Sequence, residues 1–380
     1  MSTDLKAEID EMGLVDHHVH GALRGPVERP AFEELITESD RPIPPWMTQL
    51  DSQLGFAIRR HCAPLLGLEP SASADDYWAA RSAVAPGELA GTFLRASGTG
   101  HWLVETGYKG DQILSPAEMA SASGARVDEV VRLEAVLEEL AGTAPSAGGL
   151  RDGFREALRQ RTRGAVGLKS IVAYRYGFDF DPACPTDAEV RKAAGDWLRE
   201  IGKGAAPRVD DPVLLRMLLW AGVETGLPLQ LHTGYGDPDV ELHRSDPLLL
   251  TRWLKAVEHT GSDILLLHCY PFQRNAGYLA QVFPHVYFDV GLAINYTGAR
   301  SDAIVAESLE LAPFAKVLYS SDAWGPPELH YLGALLWRRG MTRALTAWVE
   351  EGEWTPADAV RVATMIGRSN AARVYGLDLG

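Results

Sequence analysis

The feature that most constrains this 380-residue chain is a repeated alternation of short apolar runs with helical stretches. The runs fall near residues 15, 103, 131, 168, 230, 266, 288 and 319, and most end in a polar residue or a glycine. Short strands separated by amphipathic helices argue for a parallel sheet, because each return to the same edge needs a crossover. Eight such units in one α/β chain predict a closed TIM (β/α)8 barrel, here a single unit over residues 1–380. With 46% hydrophobic residues there is enough apolar side chain for a core of that size.

Beyond the first run, the expected strands are 101–107, 166–174, 229–232, 264–268, 286–290 and 316–322. Residues 129–133 read as a strand, although 127–140 also reads as one helix. Expected helices are 187–201 with Thr186 as cap, 211–225 stopped by Gly226 and Pro228, 327–339, 342–351 and 356–375. Residues 22–96, between the first and second runs, far exceed an ordinary βα connection. They hold five prolines before Trp46 and helical patterns at 46–61 and 75–81. The aromatics Phe32, Trp46, Phe56, Tyr77 and Trp78 suit a helical cap insertion, either a structural cover of the barrel mouth or a lid that touches substrate.

The first run, Leu14-Val-Asp-His-His-Val-His-Gly21, carries the chemistry. Alternation along a strand puts Asp16, His18 and His20 on one face, and Val15, His17 and Val19 on the other. Two imidazoles on one face at a strand end can share a metal ion, whereas His17 reads as a packed core histidine. Lys169, His232, His268 and Asp322 lie at or near the ends of later strands. In a TIM barrel all those ends meet on one rim, where active sites are built. Histidines plus a carboxylate form a borderline-hard donor set suited to Zn²⁺, Mn²⁺ or Fe²⁺. Singly each residue is weak evidence, since a strand-end histidine is usually a hydrogen-bonded core residue; together they predict a metal site. Asp289 is placed to orient a ligand imidazole. Tyr174, Arg175, Tyr235, Asp237, Trp324 and Glu328 follow strand ends and are candidates to touch substrate, Arg175 by gripping a carboxylate. His101, His243, His259, His285 and His330 have no convergent partner in this reading.

A net charge of −15 argues against a nucleic-acid partner. No apolar run has the ~18 residues that suggest a membrane helix. Three scattered cysteines without CxxC spacing suit reduced thiols, and the polar start lacks a signal-peptide core, so a cytoplasmic location is expected. Trp337, Trp348 and Trp354 on the last helices could serve either the core or an interface.

The His18-x-His20 pair, His232, His268 and Asp322, in that order along the chain, resemble the amidohydrolase superfamily. The segments 231–237, 320–322 and 370–376 resemble its family-2 branch, and are similar to the amidohydrolase domain of nodulin/glutamine-synthetase-like proteins. The resemblance implies that His18, His20 and Asp322 bind a divalent metal, most simply Zn²⁺, with His232 as a further ligand. It implies that Asp322 moves the water proton, and that His268 binds a second ion or polarises the substrate carbonyl. Lys169 would be carboxylated to bridge two ions, or would bind a substrate carboxylate. The implied function is hydrolysis of an amide or other C–N bond of a small molecule, such as a γ-glutamyl or amino-acid amide, in a homo-oligomer. The alternatives are a non-oxidative decarboxylase, a lactone-type C–O hydrolase, and a barrel that binds without catalysing.

Overall fold

The computed structural model describes residues 2–379. Seven parallel strands run in sequential order: β1 Leu14–Val19, β2 Thr99–Glu105, β3 Arg126–Arg132, β4 Gly167–Ser170, β5 Leu229–Thr233, β6 Ile264–His268 and β7 Val286–Phe288. The eighth run closes the ring without a regular ladder. Leu318 N donates to Phe288 O on one side at 3.0 Å, and His17 N donates to Tyr319 O on the other at 3.2 Å. Regular pairing fails there because Ser321 N donates to the Asp16 carboxylate (3.0 Å) instead of to main chain. Asp322 then turns to φ +50°. The fold is thus the expected barrel.

Residues 126–132 settle the ambiguous third run: the strand ends at Arg132 and the helix Leu133–Ala141 begins at the next residue. The fourth strand is shorter than expected. It stops at Ser170, because Glu134 draws both Ser170 Oγ (2.6 Å) and Ile171 N (3.0 Å) out of the ladder. Lys169 is therefore at the end of its strand, not early in it. The helices Asp187–Gly202, with a Thr186 capping box, and Pro212–Val223 form as expected.

The two expected helices at 327–339 and 342–351 are one, Pro327–Glu350. Gly340, between the two expected helices, is a contact point: a Cβ there would lie 2.9 Å from Val305. Trp337 is buried, and Trp348 and Trp354, half-buried, pack against the core and against each other with ring centroids 5.0 Å apart. The helix Asn370–Tyr375 joins an inner cluster with Val15, Leu103, Val130, Leu265 and Tyr287. That cluster is the floor of the barrel.

Between β1 and β2 the chain is helical at Arg29–Glu34, Gln53–Ala57, Ala74–Ser82 and Pro86–Ala96. The expected helix at 46–61 is broken, because Ser52 is extended (φ −127°, ψ 173°) and caps Gly55 N at 3.0 Å. Phe32 and Tyr77 are buried as a cap would have them, but Trp46 is 82% and Phe56 53% exposed. Among the described residues no helix is long and apolar enough to cross a membrane.

Candidate metal centre

β1 delivers His18 and His20 to the rim, and the eighth run delivers Asp322 between them. His18 Nε2 lies 3.0 Å and His20 Nε2 3.8 Å from Asp322 Oδ1. One donor atom from each of the three lies within 4.8 Å of the others, a separation that one ion can span. β6 brings His268, whose Nε2 is 3.4 Å from Asp322 Oδ2. β5 brings His232, with ring centroid 4.8 Å from that of His268. β4 brings Lys169, with Nζ 3.2 Å from His18 Nε2. All six predicted metal-site residues converge, over some 300 residues of sequence.

The hydrogen bonds behind the imidazoles fix which nitrogen faces the site. Gln230 Nε2 donates to the carbonyl of His17 at 2.7 Å, so it is the amide nitrogen and Oε1 is left toward His18 Nδ1 at 2.8 Å. His18 Nδ1 must then carry the proton, and Nε2 presents its lone pair to the centre. His20 Nδ1 is held in the same sense by the Glu105 carbonyl (3.2 Å) and carboxylate (3.4 Å). Glu105 is itself buried and paired with Arg132, whose Nε is at 3.1 Å. Replacing Gln230 by Met removes this orientation, and metal affinity is expected to fall about 10- to 100-fold. Competition against a chelator measures it; unchanged affinity would refute the role.

The electrostatics suit a cation. Burial and the Lys169 ammonium hold His18, His232 and His268 well below the usual imidazole range, so all are neutral donors at neutral pH. Burial lowers His20 to about 4, and Lys169 to about 8 against the pull of Asp322. Burial pushes Asp322 well above the carboxylate range, with Lys169 opposing. His232 Nε2 and both ring nitrogens of His268 are buried and make no hydrogen bond. Unpaired buried nitrogens cost about 1–3 kcal/mol each, and a metal ion or a substrate removes that cost. The residues present therefore fit a divalent ion.

His268 and Asp322 also share an unusual backbone, at φ +69° and +50°. Such φ values in non-glycine residues cluster at functional sites. Asp289 holds His268 in place by accepting its N–H at 2.9 Å. It orients His17, at 3.0 Å, and not a ligand imidazole as expected. His17 is buried and bonded through both nitrogens, to Asp289 and Tyr375.

A cavity of about 350 Å³ opens above the centre, and Tyr174, Arg175, Asp237 and Trp324 line it, as expected. Tyr174 packs on His232 at a tilt, with ring centroids 4.1 Å apart, and a Cβ at Gly236 would strike both. Two expected substrate contacts are not there. Tyr235 lies behind the wall, against Tyr296 and Tyr270, because its N–H is drawn to Tyr270 O at 2.7 Å. Glu328 is fully buried in the first turn of the helix Pro327–Glu350 and faces the insertion, where it binds Arg81 Nε (2.5 Å) and Tyr77 Oη (2.9 Å).

Four contributors were missed. Gln230 was visible in principle, as a polar residue two before His232 on the same strand face. Glu105 ends β2 as the other site residues end their strands. His330, set aside for want of a partner, bonds the His20 carbonyl at 2.9 Å. Glu38 sits in an irregular loop where spacing carries no signal.

Residues 132–377 match the family model described as Amidohydrolase. That span contains Lys169, His232, His268 and Asp322, and the first two histidines precede it. Protein fluG of Emericella nidulans is 34% identical over 226 residues, which is 56% of this chain and 26% of fluG. The chain thus spans about a quarter of that relative's length. A structure described as a metal-dependent hydrolase from Lactobacillus casei superposes with a TM-score of 0.81 at 27% identity, over 98% of this chain and 97% of that one. The uronate isomerase of Bacillus halodurans shares the fold, with a TM-score of 0.65 at 13% identity over 99% and 96% of the two chains. The barrel, the metal-competent rim and the family match agree: the chain belongs to the amidohydrolase family.

Proposed function

We propose that this protein is a metal-dependent hydrolase that cleaves an amide or related C–N bond of a small, carboxylate-bearing molecule, with γ-glutamyl and amino-acid amides as the leading class. The observation that carries it is the convergence of His18, His20 and Asp322 beneath the unpaired nitrogens of His232 and His268. His18, His20, Asp322 and His232 would hold the ion, with Zn²⁺ favoured by three imidazoles and one carboxylate. When bound, such an ion supplies Lewis acidity, which acidifies water and polarises a carbonyl. Asp322 accepts the proton released from the attacking water and hands it to the departing nitrogen. A carboxylate beside the ion is suited to both steps, as general base and then as general acid. His268, neutral and unpaired, is placed to hydrogen-bond the carbonyl oxygen. Arg175 binds the carboxylate: Nη2 is paired to Glu138 at 3.1 Å, while Nε and Nη1 have no partner. Two buried, unbridged cysteines support a reducing, cytosolic setting.

A second reading is favoured by the paired vacant nitrogens of His232 and His268, which could hold a second ion bridged by a carboxylated Lys169. Intact mass separates the two, since carboxylation adds one CO₂ to the chain.

The function is tested by incubating Zn²⁺-loaded and chelated protein with a panel of carboxylate-bearing amides. Amine release by the loaded protein alone is expected. Release of CO₂ without amine would replace hydrolysis by decarboxylation, and neither product would favour a binding protein.

A further inference from the structure

The cavity above the metal centre has two chemically opposite walls. In barrel order, one wall follows β2 to β4 and carries Lys109, Arg132 and Arg175. Arg175 offers two buried N–H groups with no protein acceptor. The other wall follows β7 and meets the insertion. There Asn295, on the helix Gly291–Thr297, is 1% exposed. Its Nδ2 donates to the Ser321 carbonyl at 3.3 Å, which identifies Oδ1 as the acceptor left over. That oxygen is buried, has no partner, and belongs to a residue lining the cavity. The next residue, Tyr296, donates its hydroxyl to Glu38 of the insertion. Two like charges bear on Glu38, Asp237 and the metal-centre carboxylate Asp322. Burial, with Asp237 adding to it, pushes the Glu38 carboxyl up to about 7. A buried acceptor without a donor and buried donors without an acceptor are costly; here the acceptor follows β7, and the donors follow β4 on the other side of the barrel.

We propose that Glu38 and Asn295 receive the ammonium group of a substrate whose carboxylate is held by Arg175, so that the scissile bond lies between two opposite charges. An ammonium has three donors and no acceptor, and a carboxylate has only acceptors, so each matches one wall and neither matches the other. A neutral or doubly anionic substrate leaves the Asn295 oxygen without a donor and the Glu38 carboxylate without a cation, which makes this wall a discriminator. The insertion is thereby part of the substrate site and not only its cover. The inference rests on the hydrolase reading for the bond cleaved, but not for the charge pattern recognised; within that reading it selects amino-acid amides with the ammonium on one side of the bond and the carboxylate on the other over γ-glutamyl amides, whose two charges share one carbon.

The test uses matched amides on Zn²⁺-loaded protein: N-(ω-aminoalkyl)succinamates of two to four methylenes, and N-alkylsuccinamates with methyl in place of the ammonium. Calorimetric binding and amine release are measured in the same samples. Wild type is expected to bind the best ammonium-bearing amide about tenfold or more tightly than its neutral partner. Glu38→Gln keeps the size and the bond to Tyr296 but loses the charge, and should bring that ratio close to 1. Asn295→Leu should lower it in the same direction, and Arg175→Gln should weaken both amides alike. Equal binding of the two series by wild type, no binding of either, or an unchanged ratio in Glu38→Gln would overturn the proposal. Amine release without the preference leaves the hydrolase and removes this subsite; the preference without amine release does the reverse.

Discussion

Asp322→Asn is expected to lower turnover by about 10³- to 10⁴-fold while leaving the fold intact. The size follows from the number of roles lost together, since general acid–base work alone is typically worth 10²–10⁴-fold. Asp322 lies against His18, His20 and His268, so its carboxylate would also help hold the ion beside His18 and His20. The fold should survive because asparagine is among the few side chains that tolerate φ near +50°. In the metal-free protein the substitution removes a carboxyl that burial disfavours in its charged form, so the unfolding temperature should not fall. Turnover followed as amine release, beside thermal unfolding of the metal-free protein, checks both parts. Activity within tenfold of wild type would remove Asp322 from the chemistry.

The second large effect is on stability and lies outside the metal centre. Arg81 and Glu328 form a buried ion pair that ties the insertion helix Ala74–Ser82 to the helix Pro327–Glu350. Arg81 also lies 4.4 Å from the Phe32 ring centroid, and Glu328 accepts from Tyr77. Arg81→Met leaves the Glu328 carboxylate buried without its cation, which should cost about 3–5 kcal/mol. Adding Glu328→Leu should recover much of that loss, because a buried pair replaced by apolar groups of similar size is often neutral. Denaturant unfolding of the two variants decides it. A loss under about 1 kcal/mol in Arg81→Met would mean the pair is solvated.

The contrast between Asp322 and Glu328 shows what was legible in the sequence. Strand-end positions are readable, because short apolar runs mark the strands and barrel topology sends all their ends to one rim. His18, His20, Lys169, His232, His268 and Asp322 were read that way, and the structure brings them together. Glu328 lies in a helix, where direction depends on the packing of that helix, and it turned toward the insertion. The same limit applies to Gly340, whose role as a close contact depends on Val305, some 35 residues earlier. Tyr235 failed for a related reason: a main-chain bond to Tyr270 turned it behind the cavity wall. Glu38 was out of reach, since its loop has no periodicity and its meaning comes from Tyr296 and Asn295, more than 250 residues away. Glu105 and Gln230 were within reach, because both occupy strand positions that alternation assigns.

The most direct test of the metal centre is the divalent-metal content of chain purified without chelators, for wild type and for the double variant His18→Ala/His20→Ala. Wild type is expected to hold about one ion per chain in the centre built by His18, His20 and Asp322, and the double variant none. Wild type that stays metal-free after equilibration with Zn²⁺ or Mn²⁺, or a double variant that keeps its full metal content, would contradict the account.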